Sequence, residues 1–581
     1  GNIDASTADT LRTALEKVGV TVNPTLWDFY TVGAGKDYAR SKSGMVATSS
    51  EVTAEVPWDV YTDEVKDSVA QYGDAAIVTL SRVGGEGADL SYGEVNYLAL
   101  DENEKAMLQN VAEMKKNGTV KKTILLINSA NALQVDFLKN NEYDIDAALW
   151  IGDVGISGIN AVAEILTGKV NPSGSLVDTY CYDNFSAPAM WNFTPTTYEG
   201  YVEGGDVSAK AKSYMIYQEG IYVGYKYYET RYEDFVTGNG NAGDYAYGDI
   251  VAYPFGYGMS YTDFDISDMN VSYNAADDTY TVTVKVTNTG DMAGKKTVQV
   301  YVQSPYTDYD KQNNVEKSSI QLLGYDKIDV AAGASETVTV DVPGYFLASY
   351  DANGAKGYIL DAGDYYFAVG NGAHEALNNV LAAKCGDAVA GKLIDQDGNV
   401  VTGNTAAVAT WTAPNTEVDT QKYRNSRYNS DVEVTNTFDD ADVNYWANDD
   451  EKITYLSRSA WDTTYPTTLE TLTVNDKLYN GLNMQTYVKA ADAKSVSDFN
   501  LGVELDEKIN FSDMIGVAFD DPKWNDFLSQ LTLSDLLINM GDSKGIKAVK
   551  AVNKPGCTIV DGPEGMNGQF KYGDRRNCTG W

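Results

Sequence analysis

The 581-residue sequence contains a single histidine, His374, and only four cysteines. One imidazole excludes most Ser-His-Asp triads, Cys-His dyads and His-rich zinc sites, because each of these needs a histidine as base or ligand. Positions 181, 385, 557 and 578 hold the cysteines, which form no CxxC pair, so thiolate metal sites and thioredoxin-like chemistry are also excluded. Whether Cys557 and Cys578 form a disulfide stays an open question. We expect carboxylates to carry any proton transfer, without a metal or a cofactor.

Basic residues are scarce as well: Lys and Arg total 44 against 83 Asp and Glu, which gives a net charge of −39. A field of this sign repels polyanions, so we expect no nucleic-acid partner. No run of about 18 apolar residues occurs, and the first residues lack the basic and apolar regions of a signal peptide. The composition fits a bacterial secreted or surface protein slightly better than a cytoplasmic one.

The length predicts about three to five domains, and the pattern between about residues 60 and 180 identifies the first. Short runs rich in Ile, Val and Leu (DAAIVTLSRV, KKTILLINSA, DIDAALWIGD) alternate there with stretches of helical periodicity (ENEKAMLQNVAEMKKNG, GINAVAEILTGK). This alternation predicts an α/β sandwich domain over residues 1–262 with a largely parallel sheet. Ligands gather at the carboxyl ends of the strands in such sheets.

The rest of the chain predicts all-β and irregular structure. Over 263–384, TYTVTVKVTNTG, KTVQVYVQSP, SETVTVDVPG and AGDYYFAVGN alternate apolar and polar residues between turns, which is typical of a β-sandwich. Residues 385–524 have few periodic runs and predict an extended connector with short strands that wraps the other domains. One amphipathic helix is predicted over 522–542, and a strand that enters a Gly-rich loop follows it. The fold class is multidomain α/β plus all-β.

Two carboxylates stand where chemistry could occur. Glu86, in SRVGGEGADL, lies between two glycines beyond the carboxyl end of a strand, where a general acid could reach a bound substrate. Asp561, in VDGPEG, lies where a strand meets a turn and could accept hydrogen bonds from sugar hydroxyls. Taken alone, both residues fit solvated or Asx-type turns better.

Two glycine-containing stretches do not match ligand motifs. Gly152, Gly155 and Gly158 recur every third residue, unlike a dinucleotide fingerprint or a P-loop, and favour close packing of helix on sheet. The DQDG stretch at 395–398 lacks the downstream Glu of an EF-hand and predicts a turn.

Five stretches together resemble glycoside hydrolase family 3. SRVGGEGADL is similar to the acid/base loop of the family, and LWIGDVGISGINAVAEILTGKVNPSGSL to its helix and NPSG segment. EGIYVGYKYYE and YPFGYGMSY resemble the junction into a fibronectin type III-like domain, and KPGCTIVDGPEGMNG the loop that leads into the TIM-like barrel. The resemblance covers about 60–382 and 525–581. It implies the inverted domain order, with the barrel beginning over 525–581 and its remainder supplied by the same chain or a second one.

The resemblance also implies an activity and two roles. The expected protein is a retaining exo-acting β-glycosidase, best matched by a β-glucosidase that hydrolyses terminal non-reducing β-D-glucosyl residues of oligosaccharides or aryl β-glycosides. Glu86 inherits the general acid/base role and Asp561 holds hydroxyls of the terminal sugar, whereas the nucleophilic aspartate is expected outside these 581 residues. Leu90 and Asp153 depart from the pattern of many relatives. Two alternative functions stay open: a β-xylosidase, and a non-catalytic carbohydrate-binding or surface-adhesion protein. A homodimer also stays open.

Overall fold

The structure is a computed structural model that describes residues 8–38, 55–82, 97–152, 154–192, 195–201, 212–483, 490–541, 545–558, 565–566 and 576–577. The chain divides into two compact units, one made of residues 1–14, 154–160 and 485–581 and the other of residues 15–153 and 161–484. Within the described ranges, none of the helices combines the length and the apolar character that crossing a bilayer requires.

Fifteen α-helices occur in the described residues. In chain order they are α1 Leu11–Lys17, α2 Pro24–Thr31, α3 Asp63–Ser68, α4 Glu102–Lys116, α5 Asp136–Lys139, α6 Gly155–Leu166, α7 Tyr225–Thr237, α8 Tyr247–Ile250, α9 Asp308–Asn313, α10 Ala373–Cys385, α11 Val443–Trp446, α12 Trp461–Thr464, α13 Asp476–Asn483, α14 Lys523–Ser529 and α15 Leu533–Gly541.

The same residues contain twenty strands. In chain order they are β1 Ala76–Ser81, β2 Thr123–Asn128, β3 Ala147–Trp150, β4 Tyr180–Cys181, β5 Thr196–Thr197, β6 Ser213–Tyr214, β7 Val251–Tyr253, β8 Phe264–Asn274, β9 Thr279–Asn288, β10 Gly294–Gln303, β11 Gln321–Val330, β12 Ser335–Pro343, β13 Ser349–Asp351, β14 Gly357–Ile359, β15 Asp364–Val369, β16 Val408–Thr412, β17 Gly545–Ile546, β18 Cys557–Thr558, β19 Gly565–Met566 and β20 Arg576–Asn577.

The first sheet is parallel, in the order β1-β2-β3. Val78 pairs with Leu125 and Leu126 with Leu149, so the three apolar runs of the sequence lie side by side in register. Leu80 of β1, Leu125 of β2 and Leu108 of α4 are almost fully buried in one core. The predicted α/β domain with a parallel sheet is confirmed.

Charged side chains fix both ends of α4. Its first turn has a capping box, in which the Glu104 amide donates to Asp101 (2.8 Å) and the Asp101 amide to Glu104 (2.9 Å). In its last turn, Lys115 forms ion pairs with Asp144 (2.9 Å) and Asp146 (2.7 Å), just before β3. The helix therefore begins at the carboxyl edge of the sheet and ends at the amino edge.

The predicted β-sandwich is confirmed too. A four-stranded sheet, β11-β10-β15-β16, and a three-stranded sheet, β12-β9-β8, are both antiparallel. Alternate residues of β9, β10, β12 and β15 point into one buried core, as period-two patterning requires. β16 lies in the stretch that the sequence assigns to the connector, and it completes the four-stranded sheet.

The connector also contacts the α/β region. The Trp461 indole is fully buried and its Nε1 donates to Asp234 of α7 (2.8 Å). The Arg458 guanidinium lies beside it and donates to the same carboxylate (2.8 Å) and to Glu233 (2.9 Å). A long irregular segment is thus held by buried charge and one aromatic ring.

The single helix predicted over 522–542 is wrong: the structure has two helices, α14 and α15. Thr532 interrupts the helix because its hydroxyl accepts from the Asp535 amide (3.2 Å) while the Asp535 carboxylate accepts from the Thr532 amide (2.9 Å). This reciprocal cap begins a new helix. Phe527 and Leu531 pack there with Met514 in a small separate core.

Two glycine-containing stretches were interpreted from the sequence, and the structure corrects the first interpretation and confirms the second. Gly152 and Gly155 have φ of +52° and +63°, so a left-handed backbone, not helix–sheet packing, is what requires glycine at these two positions. The DQDG turn is confirmed, because the Asp395 carboxylate accepts from the amides of Asp397 and Asn399, both at 2.9 Å.

Asp146 provides a test of the ion pairs at the amino edge of the parallel sheet. Burial alone would raise the pKa of its carboxyl, but hydrogen bonds from Lys115, Lys122 and the Thr123 amide hold that pKa well below its usual range. A carboxyl with a depressed folded-state pKa stabilises the fold above its unfolded pKa of about 3.9, and this contribution is lost as the pH falls toward the folded value. Asp146→Asn should therefore lower the free energy of unfolding at pH 7 by about 1 kcal/mol.

Urea unfolding of both proteins between pH 7 and pH 3 measures this effect. The difference between wild type and variant should shrink below about pH 4, and a difference that stays constant would contradict the assignment. Asp74→Asn is the matched control, because Asp74 pairs with Lys121 (2.6 Å) in full solvent exposure and should contribute nothing measurable.

Candidate functional site

The carboxyl ends of β1, β2 and β3 form the edge where ligands gather in parallel sheets. The Asn128 side-chain amide at the end of β2 donates to the Gly152 carbonyl oxygen (2.5 Å). The Trp150 indole at the end of β3 donates to the Ser129 carbonyl oxygen (2.8 Å). The chain that leaves β2 is therefore hydrogen-bonded to the chain that leaves β3.

Arg82, the residue after β1, has a buried guanidinium at this edge. It donates to both carboxylate oxygens of Glu104, from Nη1 at 2.7 Å and from Nη2 at 2.8 Å. It also donates to the carbonyl oxygens of Ser81 (2.9 Å) and Ala99 (2.7 Å), and through Nε to that of Tyr97. We call these five residues the Arg82 cluster.

The Arg82 cluster uses the full hydrogen-bonding capacity of the guanidinium. Arginine has five N–H groups, and each of them has an acceptor here. Arg82 and Glu104 are 3% and 2% exposed, so their opposite charges compensate each other in a site without solvent. The cluster joins residues 81–82 to residues 97–99, the two flanks of the segment 83–96.

The two residues that the sequence nominates lie outside the described residues. Glu86 falls in 83–96 and Asp561 in 559–564, and the departures Leu90 and Asp153 are likewise outside. Their roles stay predictions. The residues on both sides of the Glu86 segment are described, and they belong to the Arg82 cluster. The sequence analysis did not identify this cluster.

The NPSG segment and the YPFGYGMSY stretch contact each other. The Asn171 side-chain oxygen accepts from the Ser260 hydroxyl and from the Tyr261 amide, both at 2.8 Å. Farther along, the Leu176 amide donates to the Tyr257 carbonyl oxygen (2.8 Å). Two stretches some 80 residues apart in the sequence therefore form one junction before the β-sandwich.

The single histidine is a core residue. His374 Nδ1 lies 2.7 Å from the Glu229 carboxylate, and Nε2 lies 2.8 Å from the Ile394 carbonyl oxygen. The Tyr247 ring stacks on the imidazole at 3.8 Å and its hydroxyl donates to Glu229 (2.5 Å); burial, and then that carboxylate, raise the pKa of Tyr247 well above its usual range. His374 therefore links α10 to α7 within the core.

Family models match two ranges of the chain. Residues 3–225 match the "Glycosyl hydrolase family 3 C-terminal domain" and residues 296–373 match the "Fibronectin type III-like domain". Over residues 3–225 the chain is therefore similar to the C-terminal domain of glycoside hydrolase family 3. The parallel sheet, the Arg82 cluster and the NPSG segment lie within the first matched range, and the β-sandwich contains the second.

Curated relatives are similar over about half of the chain. A β-glucosidase of Ruminococcus albus is 33% identical over 327 residues, which are 55% of this chain and 29% of that protein. An exo-α-(1→6)-L-arabinopyranosidase of Bifidobacterium longum is 32% identical over 48% of this chain and 31% of that protein. The chain thus spans about a third of the length of these relatives.

A solved structure of β-glucosidase 3B from Thermotoga neapolitana in complex with glucose is 26% identical. The similarity covers 64% of this chain and 46% of that one, with a TM-score of 0.49.

The junction between NPSG and YPFGYGMSY can be tested at Gly258. A Cβ added there would lie 2.2 Å from the Gly174 carbonyl oxygen, so Gly258→Ala should destabilise the protein by about 1–3 kcal/mol, measured by urea unfolding. Gly174→Ala is the control, because a Cβ at that position meets nothing within 4 Å and should change the stability by less than about 0.5 kcal/mol. Equal effects of the two substitutions would contradict the described contact.

Proposed function

We propose that this chain is part of a retaining exo-acting β-glucosidase and contributes its general acid/base. The proposed substrate is the terminal non-reducing β-D-glucosyl residue of an oligosaccharide or an aryl β-glycoside. The nucleophilic aspartate lies on a barrel segment outside this sequence. The chain alone is then an incomplete catalytic unit.

The single observation that carries this proposal is the family match together with the place of Glu86 inside it. Residues 3–225 match the family 3 C-terminal domain, and Glu86 occupies the segment between β1 and α4 within that range. Both ends of this segment belong to the Arg82 cluster, at the carboxyl edge of a parallel sheet, where enzymes on such sheets hold their ligands.

The chemistry follows from two carboxyl groups about 5–5.5 Å apart on either side of the glycosidic bond. One carboxylate attacks the anomeric carbon while Glu86 protonates the departing oxygen. Glu86 then removes a proton from the water that releases the sugar. A leaving group with a high pKa needs this proton, whereas a nitrophenolate departs without it. The name of the Ruminococcus albus relative supports a β-glucosidase. Another relative is named an arabinopyranosidase, so assays with different glycosides have to identify the sugar.

Glu86→Gln tests the acid role. In the active protein that contains this sequence, the substitution should lower kcat/KM for cellobiose by about 10²–10⁴-fold and that for 2,4-dinitrophenyl β-glucoside far less. Initial-rate assays of both substrates measure the ratio. Glu102→Gln is the matched control, since Glu102 is an exposed residue of α4 and should leave both rates unchanged. Equal losses on the two substrates would show that Glu86 is not the acid.

Asp561→Asn tests the sugar-binding role. If Asp561 holds hydroxyls of the terminal glucose, its loss weakens transition-state binding whatever the leaving group is. We expect kcat/KM to fall by a similar factor, about tenfold or more, for cellobiose and for the dinitrophenyl substrate. Unchanged values for both substrates would remove Asp561 from the site.

A further inference from the structure

We propose that a polar cavity between α7, α10, the end of β10 and the connector binds a neutral sugar. The cavity has a volume of about 360 Å³, which is within the range of small-molecule sites. Its lining residues fall between positions 233 and 459, and six of them carry the argument: Glu233, Gln303, Ser304, Tyr306, Lys384 and Arg458. The inference does not depend on the role of Glu86.

A buried ionic network holds one wall of the cavity in place. Glu233 and Arg458 are 2% and 4% exposed, and Arg458 Nη2 donates to the Glu233 carboxylate (2.9 Å). The same carboxylate accepts from Lys384 Nζ and from the Gln303 side-chain amide, both at 3.1 Å. Lys384 also donates to Gln303 Oε1 (2.8 Å). Side chains fixed in this way present their polar atoms to a ligand at set positions.

The wall has hydrogen-bonding capacity that the described part of the chain does not use. The hydroxyls of Ser304 and Tyr306 have no hydrogen-bond partner among the described residues. Lys384 uses two of its three N–H groups. Arg458 Nη1 donates to the Lys317 carbonyl oxygen (3.4 Å), and its second N–H has no acceptor within the described ranges. A ligand with several oxygen atoms would supply these partners.

Tyr306 is well suited to recognise a hydroxyl group. The Arg458 guanidinium lies 4.8 Å from the centroid of its ring, which favours a fixed ring position. Burial, and then the Glu316 carboxylate, raise the pKa of the Tyr306 hydroxyl above its usual range, so it stays protonated at neutral pH. This hydroxyl can donate to one sugar oxygen and accept from another hydroxyl of the same sugar.

The charges of the wall favour a neutral ligand over an anion. Each cation is already paired with a carboxylate: Arg458 with Asp234 (2.8 Å), Lys384 with Glu233 (3.1 Å) and Lys311 with Asp308 (3.5 Å). The net charge of −39 also repels anions from the protein as a whole. A carboxylate or phosphate ligand accepts hydrogen bonds only, whereas sugar hydroxyls donate and accept, as this mixed wall requires.

Saturation-transfer NMR on the 581-residue protein tests the ligand class, with D-glucose, D-xylose and D-galactose as neutral sugars and with inorganic phosphate and D-glucuronate as anions. At least one neutral sugar should bind with a Kd of about 1 mM, the order expected for so small a ligand. The anions should bind more weakly. Absence of binding by all three sugars, or tighter binding of either anion, would overturn the proposal.

Two variants test whether the sugar occupies this cavity. Ser304→Ala and Tyr306→Phe each remove one hydroxyl, and Phe keeps the ring beside Arg458. Each should raise the Kd of the bound sugar by about 3–10-fold, while thermal unfolding stays close to that of the wild type. Tyr325→Phe is the matched control, because Tyr325 is 69% exposed on β11 and should leave the Kd unchanged. An unchanged Kd in both cavity variants would mean that the sugar binds elsewhere and would overturn the proposal.

Hydrogen exchange followed by mass spectrometry locates the site without relying on a substitution. Saturating sugar should slow exchange in peptides that cover residues 303–311 and 455–461 and should leave the parallel sheet as in the free protein. Slower exchange only outside the cavity segments would contradict the proposal.

The bound unit could be a free monosaccharide or the end of an oligosaccharide, which share the same hydroxyl chemistry. Methyl β-D-glucoside distinguishes these sources, because it blocks the anomeric oxygen as a chain would. Equal binding of glucose and its methyl glucoside supports a chain end, and binding of glucose alone supports the free sugar. A failed acid role of Glu86 leaves this site untouched, since none of its lining residues belongs to the Glu86 segment.

Discussion

The buried pair between Arg82 and Glu104 is the interaction on which the candidate site depends. A charged guanidinium without solvent is costly unless every N–H finds an acceptor, and here all five do. Removing either partner would leave the other charge buried and unpaired. The two flanks of the Glu86 segment are therefore joined to each other at the end of β1.

Other parts of the chain repeat this use of buried polar contacts at places where separate stretches of chain meet. Asn171 joins the NPSG segment to YPFGYGMSY, His374 joins α10 to α7 through Glu229, and Arg458 fixes the connector on α7. Apolar packing builds the sheet and the sandwich, whereas these pairs select which segments lie together.

Much of the fold could be predicted from local pattern. The three apolar runs became β1, β2 and β3, and period-two alternation identified four sandwich strands because one face of each is buried. The break at Thr532 was missed although a Thr-x-x-Asp cap is present in the sequence. Arg82 was missed for another reason: its partner lies 22 residues away in a helix, and only the sequence Asp101 to Glu104 signalled a cap. Glu86 alone resembled a turn residue, and only the family motif gave it a role.

The most direct test of this account is the pH dependence of kcat/KM for cellobiose in the wild type and in Glu86→Gln. If Glu86 is the general acid, the rate of the wild type falls on the alkaline side as Glu86 loses its proton, and the variant lacks that alkaline limb. An alkaline limb that is the same in both proteins would contradict the account.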